Sequence, residues 1–417
     1  MPDSIAVETA DAPAAPKSPL ANLQYRHLLA SNLAFFLALN GQSVVRSWLV
    51  FELTGSKLAL GKVAAAFALP MLLVAPFGGV IADRFERRRV IRLGQLAVLA
   101  SELVLLALLW TGQLRFGHLL CGTLVMGLAF PLIMPSRQAI AVNLVGRASL
   151  TQAMAINAAV INLGRVLGPL LSGIAIDALS VRGAYALGAA LYLVAILCLL
   201  GIERQPVLPS SGRSVWAELA EAIRYLGKDR VVLQLLLFGL VPMFLAMPAQ
   251  QLMVVFAQQV WHVGSTGFGV LQGVAGAGGV FGAVWVARRK AAGSLALMVG
   301  SGIGFAVLLG LFALSPSFSL AVVLALAGYV CASVFGSLNN AAIQVLVPDA
   351  IRGRVSAFMM MSISLPVLGT LPVGALADRV GAPSAVAGAC FAGVLAVIAF
   401  GTSPALRDLD ARLRARG

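Results

Sequence analysis

The chain has 417 residues, of which 60% are apolar and only 11% charged, and its mean hydropathy is +0.94. Soluble proteins carry about 25% charged residues and disordered chains are more polar still. The composition therefore excludes a water-soluble enzyme, a nucleic-acid binder and a secreted disulfide scaffold, and points to an all-α protein that crosses a membrane many times.

Residues 1–24 contain no apolar run and open with Asp3, Glu8 and Asp11. A secretory signal needs a basic start and an apolar stretch, so this segment reads as a disordered cytoplasmic tail. Twelve apolar segments follow, at 28–51, 58–82, 91–111, 116–136, 150–177, 182–202, 231–259, 265–287, 293–314, 318–341, 355–377 and 382–401. Several exceed the roughly 20 residues a bilayer needs, so tilt is expected. They divide into six spans within 25–202 and six within 231–402, followed by a basic tail at 403–417. The connection at 203–230 begins with turn residues (Pro206, Pro209, Ser210, Ser211, Gly212). It continues with Trp216, Leu219, Ile223 and Leu226 at helical spacing. Such a helix either lies along the inner membrane surface or simply joins two bundles.

Charge placement sets the expected orientation. With both termini in the cytoplasm, the inner segments hold 23 of the 30 Lys and Arg, and the outer loops hold five (Lys57, Lys62, Arg115, Arg182, Arg379). Cytoplasmic enrichment of positive charge is the rule for membrane proteins, so the net charge of +14 reflects topology rather than nucleic-acid binding. Cys121, Cys198, Cys331 and Cys390 lie apart in apolar runs, and His27, His118 and His262 lie far from one another. No metal and no cofactor are expected.

The chain repeats itself at an offset of about 203 residues. Gly79 before Arg87–Arg89 matches Gly282 before Arg288–Lys290, and Ala139-Ile140 matches Ala342-Ile343. With a slip of two, Gly168, Gly173 and Asp177 match Gly369, Gly374 and Asp378. Two pseudo-symmetric six-helix bundles with a site between them at mid-depth are the architecture of secondary transporters.

Two motifs narrow the assignment. The inner end of the second segment reads Gly79-Val80-Ile81-Ala82-Asp83-Arg84-Phe85-Glu86-Arg87-Arg88-Arg89. It resembles the loop signature of the major facilitator superfamily, with Glu86 where that pattern has Gly. The resemblance implies a conformational latch of Gly79, Asp83, Arg84, Arg87, Arg88 and Arg137. In it Asp83 faces the partly positive N-terminus of the eleventh helix, with Arg137 as a further partner. The fifth segment reads Gly164-Arg165-Val166-Leu167-Gly168-Pro169-Leu170-Leu171-Ser172-Gly173 and is similar to the superfamily's exporter motif. Small residues there let helices approach closely, and Pro169 permits a bend. Thr54-Gly55-Ser56-Lys57-Leu58-Ala59-Leu60-Gly61 and Val347-Pro348-Asp349-Ala350-Ile351-Arg352-Gly353-Arg354 resemble the enterobactin-exporter and macrolide-efflux branch. The resemblance runs from residue 25 to 402. It implies proton-coupled export of small molecules across a bacterial inner membrane, and leaves the cargo open.

Only Arg46, Glu102 and Arg165 are charged well inside the predicted spans. An intramembrane charge costs at least a few kcal/mol and marks a functional hypothesis with a partner. At 1.5 Å per residue, all three fall in the outer half of a ~30 Å core. Glu102, the one carboxylate among them, is the first candidate for proton coupling, and Asp83 is the second. Asn32, Gln42 and Arg46 fall within about 80° around the first helix. With Met247 and Gln251 of the seventh segment and Tyr329 and Asn339 of the tenth, they are candidates to line a substrate cavity. No phosphate-binding loop of the GxxxxGK[ST] kind occurs, so ATP is not expected as the drive. The expected partners are small-molecule cargo, protons and the bilayer, and a monomer is expected. Proton-coupled uptake and lipid flipping on the same scaffold are the rival readings.

Overall fold

The structure is a computed structural model that describes residues 18–145, 149–203, 215–289, 294–362, 364–406 and 409–416. Helices follow the apolar runs, and capping chemistry sets many of their ends. The first span, Leu23–Thr54, starts where the Asn22 side chain accepts from the Gln24 and Tyr25 amides, and it stops at Gly55. Gly55 has φ 62, a left-handed conformation that glycine adopts without steric cost. Side chains of Ser56, Asp229, Ser294 and Ser317 cap the second, seventh, ninth and tenth spans in the same way.

Ten helices among the described residues are long and apolar enough to cross a bilayer. They are Leu23–Thr54, the Lys57–Arg84 helix, Arg87–Trp110, Phe116–Val145, Leu150–Leu200, the seventh span from Arg230, Gly264–Ala287, Leu295–Ala313, Phe318–Leu346 and Ala382–Gly401. Leu150–Leu200 supplies two crossings. Ser180, at φ 65 and ψ 170, breaks it. Gly164 and Gly168 before the break and Gly188 and Gly201 after it all pack on the first span, so the chain turns back there. The eleventh span is missing from the ten because it is cut into Asp349–Ser362, Leu365–Leu368 and Thr370–Val380. The total is twelve.

Interruption of the seventh and eleventh spans departs from the unbroken runs expected from hydropathy. The seventh runs as Arg230–Ala246, then Pro248–Gln251, Met253–Val255 and a π-helical Phe256–Val260. Pro248 and Pro366 each lack an amide hydrogen, and Gly369 lies against the Phe244 carbonyl where a side chain would not fit. Between the two sets of six spans, Val215–Lys228 forms a helix; the turn-rich stretch 204–214 and residues 1–17 of the expected tail lie outside the described residues. Beyond 402 the chain folds back as Leu409–Arg416, burying Leu409 and Leu413, and Asp410 accepts from the Leu295 amide at 2.8 Å.

The apolar core is divided unevenly. Call the face carrying Leu23 and Gly401 the terminal face and its opposite the distal face. On the distal side one continuous core joins both sets of spans, from Val44, Leu49 and Leu60 to Met253, Phe268, Phe312 and Val386. On the terminal side there are two cores. One, around Phe35, Ile91, Met126 and Tyr192, belongs to the first six spans. The other, around Phe238, Phe335, Ile343 and Val397, belongs to the last six and the segments flanking them. Among the described residues the halves thus share one apolar core distally and keep separate cores towards the terminal face, where the second span still touches the Asp349–Ser362 segment.

Candidate functional site

The distal closure is built twice from equivalent parts. Gly168 packs on the first span and Gly173 on the eighth; their repeat mates Gly369 and Gly374 pack on the seventh and second. A Cβ at Gly374 would come within 2.7 Å of the Lys57 carbonyl oxygen, so these contacts require the missing side chain. One turn further out, Asp378 accepts from the amides of Lys57 at 2.7 Å and Leu58 at 3.0 Å and from the Ser56 hydroxyl at 2.8 Å. Asp177 accepts from the Thr266 amide at 3.1 Å, the Thr266 hydroxyl at 2.6 Å and the Ser265 hydroxyl. Each carboxylate thus sits on the N-terminus of a helix from the opposite half, where free amides carry partial positive charge.

Inside the first half, Arg46 Nη2 donates to Glu102 Oε1 at 2.5 Å and Tyr185 Oη donates to Glu102 Oε2 at 2.6 Å. Gln42 Nε2 donates to the Tyr185 carbonyl at 2.8 Å. The Arg46 and Glu102 side chains are only 9% and 1% exposed, so charge is met by charge and the carboxylate has a partner on each oxygen. Nearer the terminal face, Asn32 donates to Asn157 at 2.6 Å. Arg137 donates to Asn32 and, at 3.2 Å, to Ser31, and its guanidinium lies 4.7 Å from the Phe35 ring centre. Asn32, Gln42 and Arg46 therefore face neighbouring helices in this arrangement, and Arg137 turns onto the first span.

The second half holds a cavity of about 710 Å³ whose lining runs from Ile223, Leu226 and Gln344 on the terminal side to Met247 and Pro366. Leu236, Leu240, Met243, Met247 and Met359 make most of its wall apolar, and Asn339, Asn340 and Gln344 add amides. Ile223 and Leu226 of the linker helix also line it. Of the candidates, Met247 and Asn339 line this cavity. Asn339 keeps an unpaired Oδ1, and Tyr329 packs near Phe305 in the distal core with its hydroxyl unpaired. Gln251 is half-buried beside the Gln250–Gln272 pair.

Comparison with known proteins bears on all three features. Residues 14–416 match the family model described as transmembrane secretion effector, within the major facilitator superfamily. This chain belongs to that family. The enterobactin exporter EntS of Salmonella typhi is 31% identical over 296 residues, 67% of each chain. EntS of Escherichia coli O139:H28 is 32% identical over 284 residues, again 67% of each. An uncharacterized transporter of the superfamily from Bacillus subtilis, YfiS, is 22% identical over 79% of this chain and 81% of its own. Among solved structures, the nucleoside transporter NupG superposes with a TM-score of 0.72 at 15% identity, covering 91% of this chain and 98% of NupG. A bacterial homologue of the lysosomal transporter Spinster, captured inward-facing and unoccupied, gives 0.68 at 16% identity over 96% and 98%. At such identities the structural likeness shows the fold alone. The protein is a multi-pass transporter of the enterobactin-exporter branch and not an enzyme.

In this transporter the superfamily loop motif falls partly on undescribed ground: Gly79 and the Asp83 side chain lie outside the described residues. Arg84 is exposed, Arg87 is buried, and Arg88 donates to the Leu200 carbonyl at 3.2 Å. In the exporter-type motif Gly164, Gly168, Pro169 and Gly173 are buried, while Arg165 is exposed. Sequence reasoning did not select Tyr185, Asn157, Ser56, Ser265 or Thr266 as site residues. The repeat pairing of Asp177 with Asp378 was the available signal for the distal contacts. Nothing local marks Tyr185, which reaches Glu102 from 83 positions away.

Proposed function

We propose that the transporter exports hydrophobic or amphiphilic small molecules, drug- or siderophore-like, from the cytoplasm by alternating access, in exchange for protons. The observation that carries this reading is the division of the core, shared distally and split at the terminal face. The enrichment of Lys and Arg assigns the terminal face to the cytoplasm of a bacterial inner membrane. Cargo then enters the apolar cavity from inside, and rocking of the halves opens the distal seal. Glu102 is the group assigned to the proton, because it is the intramembrane carboxylate whose partners, Arg46 and Tyr185, lie on helices that would move with the first half. Asp83 is the second titrating candidate and the latch on the cytoplasmic side.

Everted vesicles test the direction. An exporter fills them with a fluorescent amphiphile when their interior is acidified, and filling should collapse with the pH gradient. Exit of preloaded dye under the same gradient would instead establish uptake. Glu102→Gln should retain dye binding while removing the dependence on the gradient, and unchanged coupling would reject Glu102. Asp83→Asn should insert normally and lose export; normal export would remove the latch.

A further inference from the structure

Charge within the first half does not balance. Well inside its spans it holds two arginines, Arg46 and Arg165, with Arg137 nearer the terminal face, against one carboxylate, Glu102, and Glu102 is already taken by Arg46 and Tyr185. Arg137 is 2% exposed and, among the described residues, meets neutral oxygens and a ring. Arg165 has no hydrogen-bond or ion-pair partner among the described residues, and its side chain is exposed. It lies about 22 Å along the helix from Leu150 and about 18 Å from Asp177, too far for a guanidinium to reach water at either face.

The helix shows which way Arg165 points. Gly164 and Gly168 face the first span, and Pro169 and Gly173 face Gly269 of the eighth. At 100° per residue, Arg165 falls between these two faces. The lipid-side residues Leu163, Leu171 and Ile174, each exposed, lie about 120–180° away around the helix. The exposure of Arg165 is therefore towards the space between the halves. It sits level with Gly276, whose neighbour Gly278 packs on Tyr329. From Tyr329 to Gly336, where the tenth span enters the cavity wall, is about 10 Å of rise. Arg165 thus stands distal to the part of the cavity that Gly336 lines, and among the described residues that line the cavity none is charged.

We propose that Arg165 receives an oxyanion of the cargo, so that the transporter carries amphiphiles bearing a carboxylate, phosphate or similar group. The inference deepens the export reading above, since it assigns a charge to the cargo of the same path. An intramembrane charge requires a partner or water; a guest anion supplies the partner, with the fork geometry that guanidinium offers an oxyanion. The apolar body of the guest then extends into the wall of leucines and methionines. The same field disfavours cationic guests.

The test is binding to the purified full-length protein in phosphatidylcholine nanodiscs, with N-dansyl-phenylalanine and its carboxamide as a pair differing only in charge. The acid should bind about tenfold tighter or more. Arg165→Gln should erase that ratio without weakening the amide, and Arg165→Lys should keep most of it. Equal affinity of acid and amide for the unaltered protein, or a ratio that survives Arg165→Gln, would overturn the proposal. So would a ratio that vanishes in discs containing phosphatidylglycerol, because the site would then belong to a lipid headgroup. The measurement needs no transport, so a failed export assay leaves the ratio standing, and an absent ratio leaves export untouched.

Discussion

Replacing both Asp177 and Asp378 with Ala should move the transporter roughly 30-fold towards the arrangement open at the distal face. Loss of a helix-capping carboxylate costs about 1 kcal/mol, and two such losses make about 2 kcal/mol, or roughly 30-fold in a two-state equilibrium. Both carboxylates are exposed, so a larger value would be out of proportion to solvent screening. The two contacts hold different helix pairs, the eleventh with the second and the fifth with the eighth, and each single variant should give about half the free-energy shift. Spin labels at the exposed Gln113 and Ser319, with the four native cysteines replaced, would read the change as a new long-distance population. Identical distance distributions in the double variant would reject the two contacts as a gate.

The same contacts bear on how protons act. Burial works against a charge on Asp378, but the Lys57 and Leu58 amides, the Ser56 hydroxyl and the Lys57 charge outweigh it. Its carboxyl is held below the usual carboxylate range of about 4. A depressed value means that its contribution is complete above that range and is lost only as pH falls through the lowered one. Between about pH 8 and about pH 5 the Asp378 contact stays charged. On the proton-exchange reading, protons therefore act at a group other than Asp378.

The second large effect concerns the buried pair. Glu102→Leu should destabilise the protein by about 3–5 kcal/mol, because it leaves the Arg46 guanidinium buried without its counter-charge. Arg46→Met combined with Glu102→Leu should recover most of that loss, since a buried ion pair replaced by apolar groups of similar volume is close to neutral. Tyr185→Phe should cost less, about 1–2 kcal/mol, for one charge-assisted bond lost. Thermal unfolding in detergent separates these cases. A double variant as unstable as Glu102→Leu alone would show that the pair does not act as a unit. If the double variant is stable yet uncoupled from the pH gradient, the pair is needed for transport rather than for folding.

Much of this protein was legible in its residues. Apolar runs long enough to cross a bilayer, interrupted by charge, determine the number of spans, because a single segment in lipid satisfies its own backbone only as a helix. The matched glycines and aspartates at 168, 173 and 177 and at 369, 374 and 378 determine that the halves are built alike. The chain order by itself determined neither the partner of Glu102 nor the interruption of the seventh and eleventh spans. Arg46, Glu102 and Tyr185 come from three helices whose rotation is set by packing, and helical periodicity places a residue on a face without saying which helix that face meets. Pro248 and Pro366 permitted a break, but prolines at 131, 135 and 169 lie within helices that continue. Whether a proline interrupts depends on what lies beside it, as Gly369 against the Phe244 carbonyl illustrates. Only the tertiary structure decided that the core is shared on one side and split on the other, because that is a property of contacts between halves and not of either half alone.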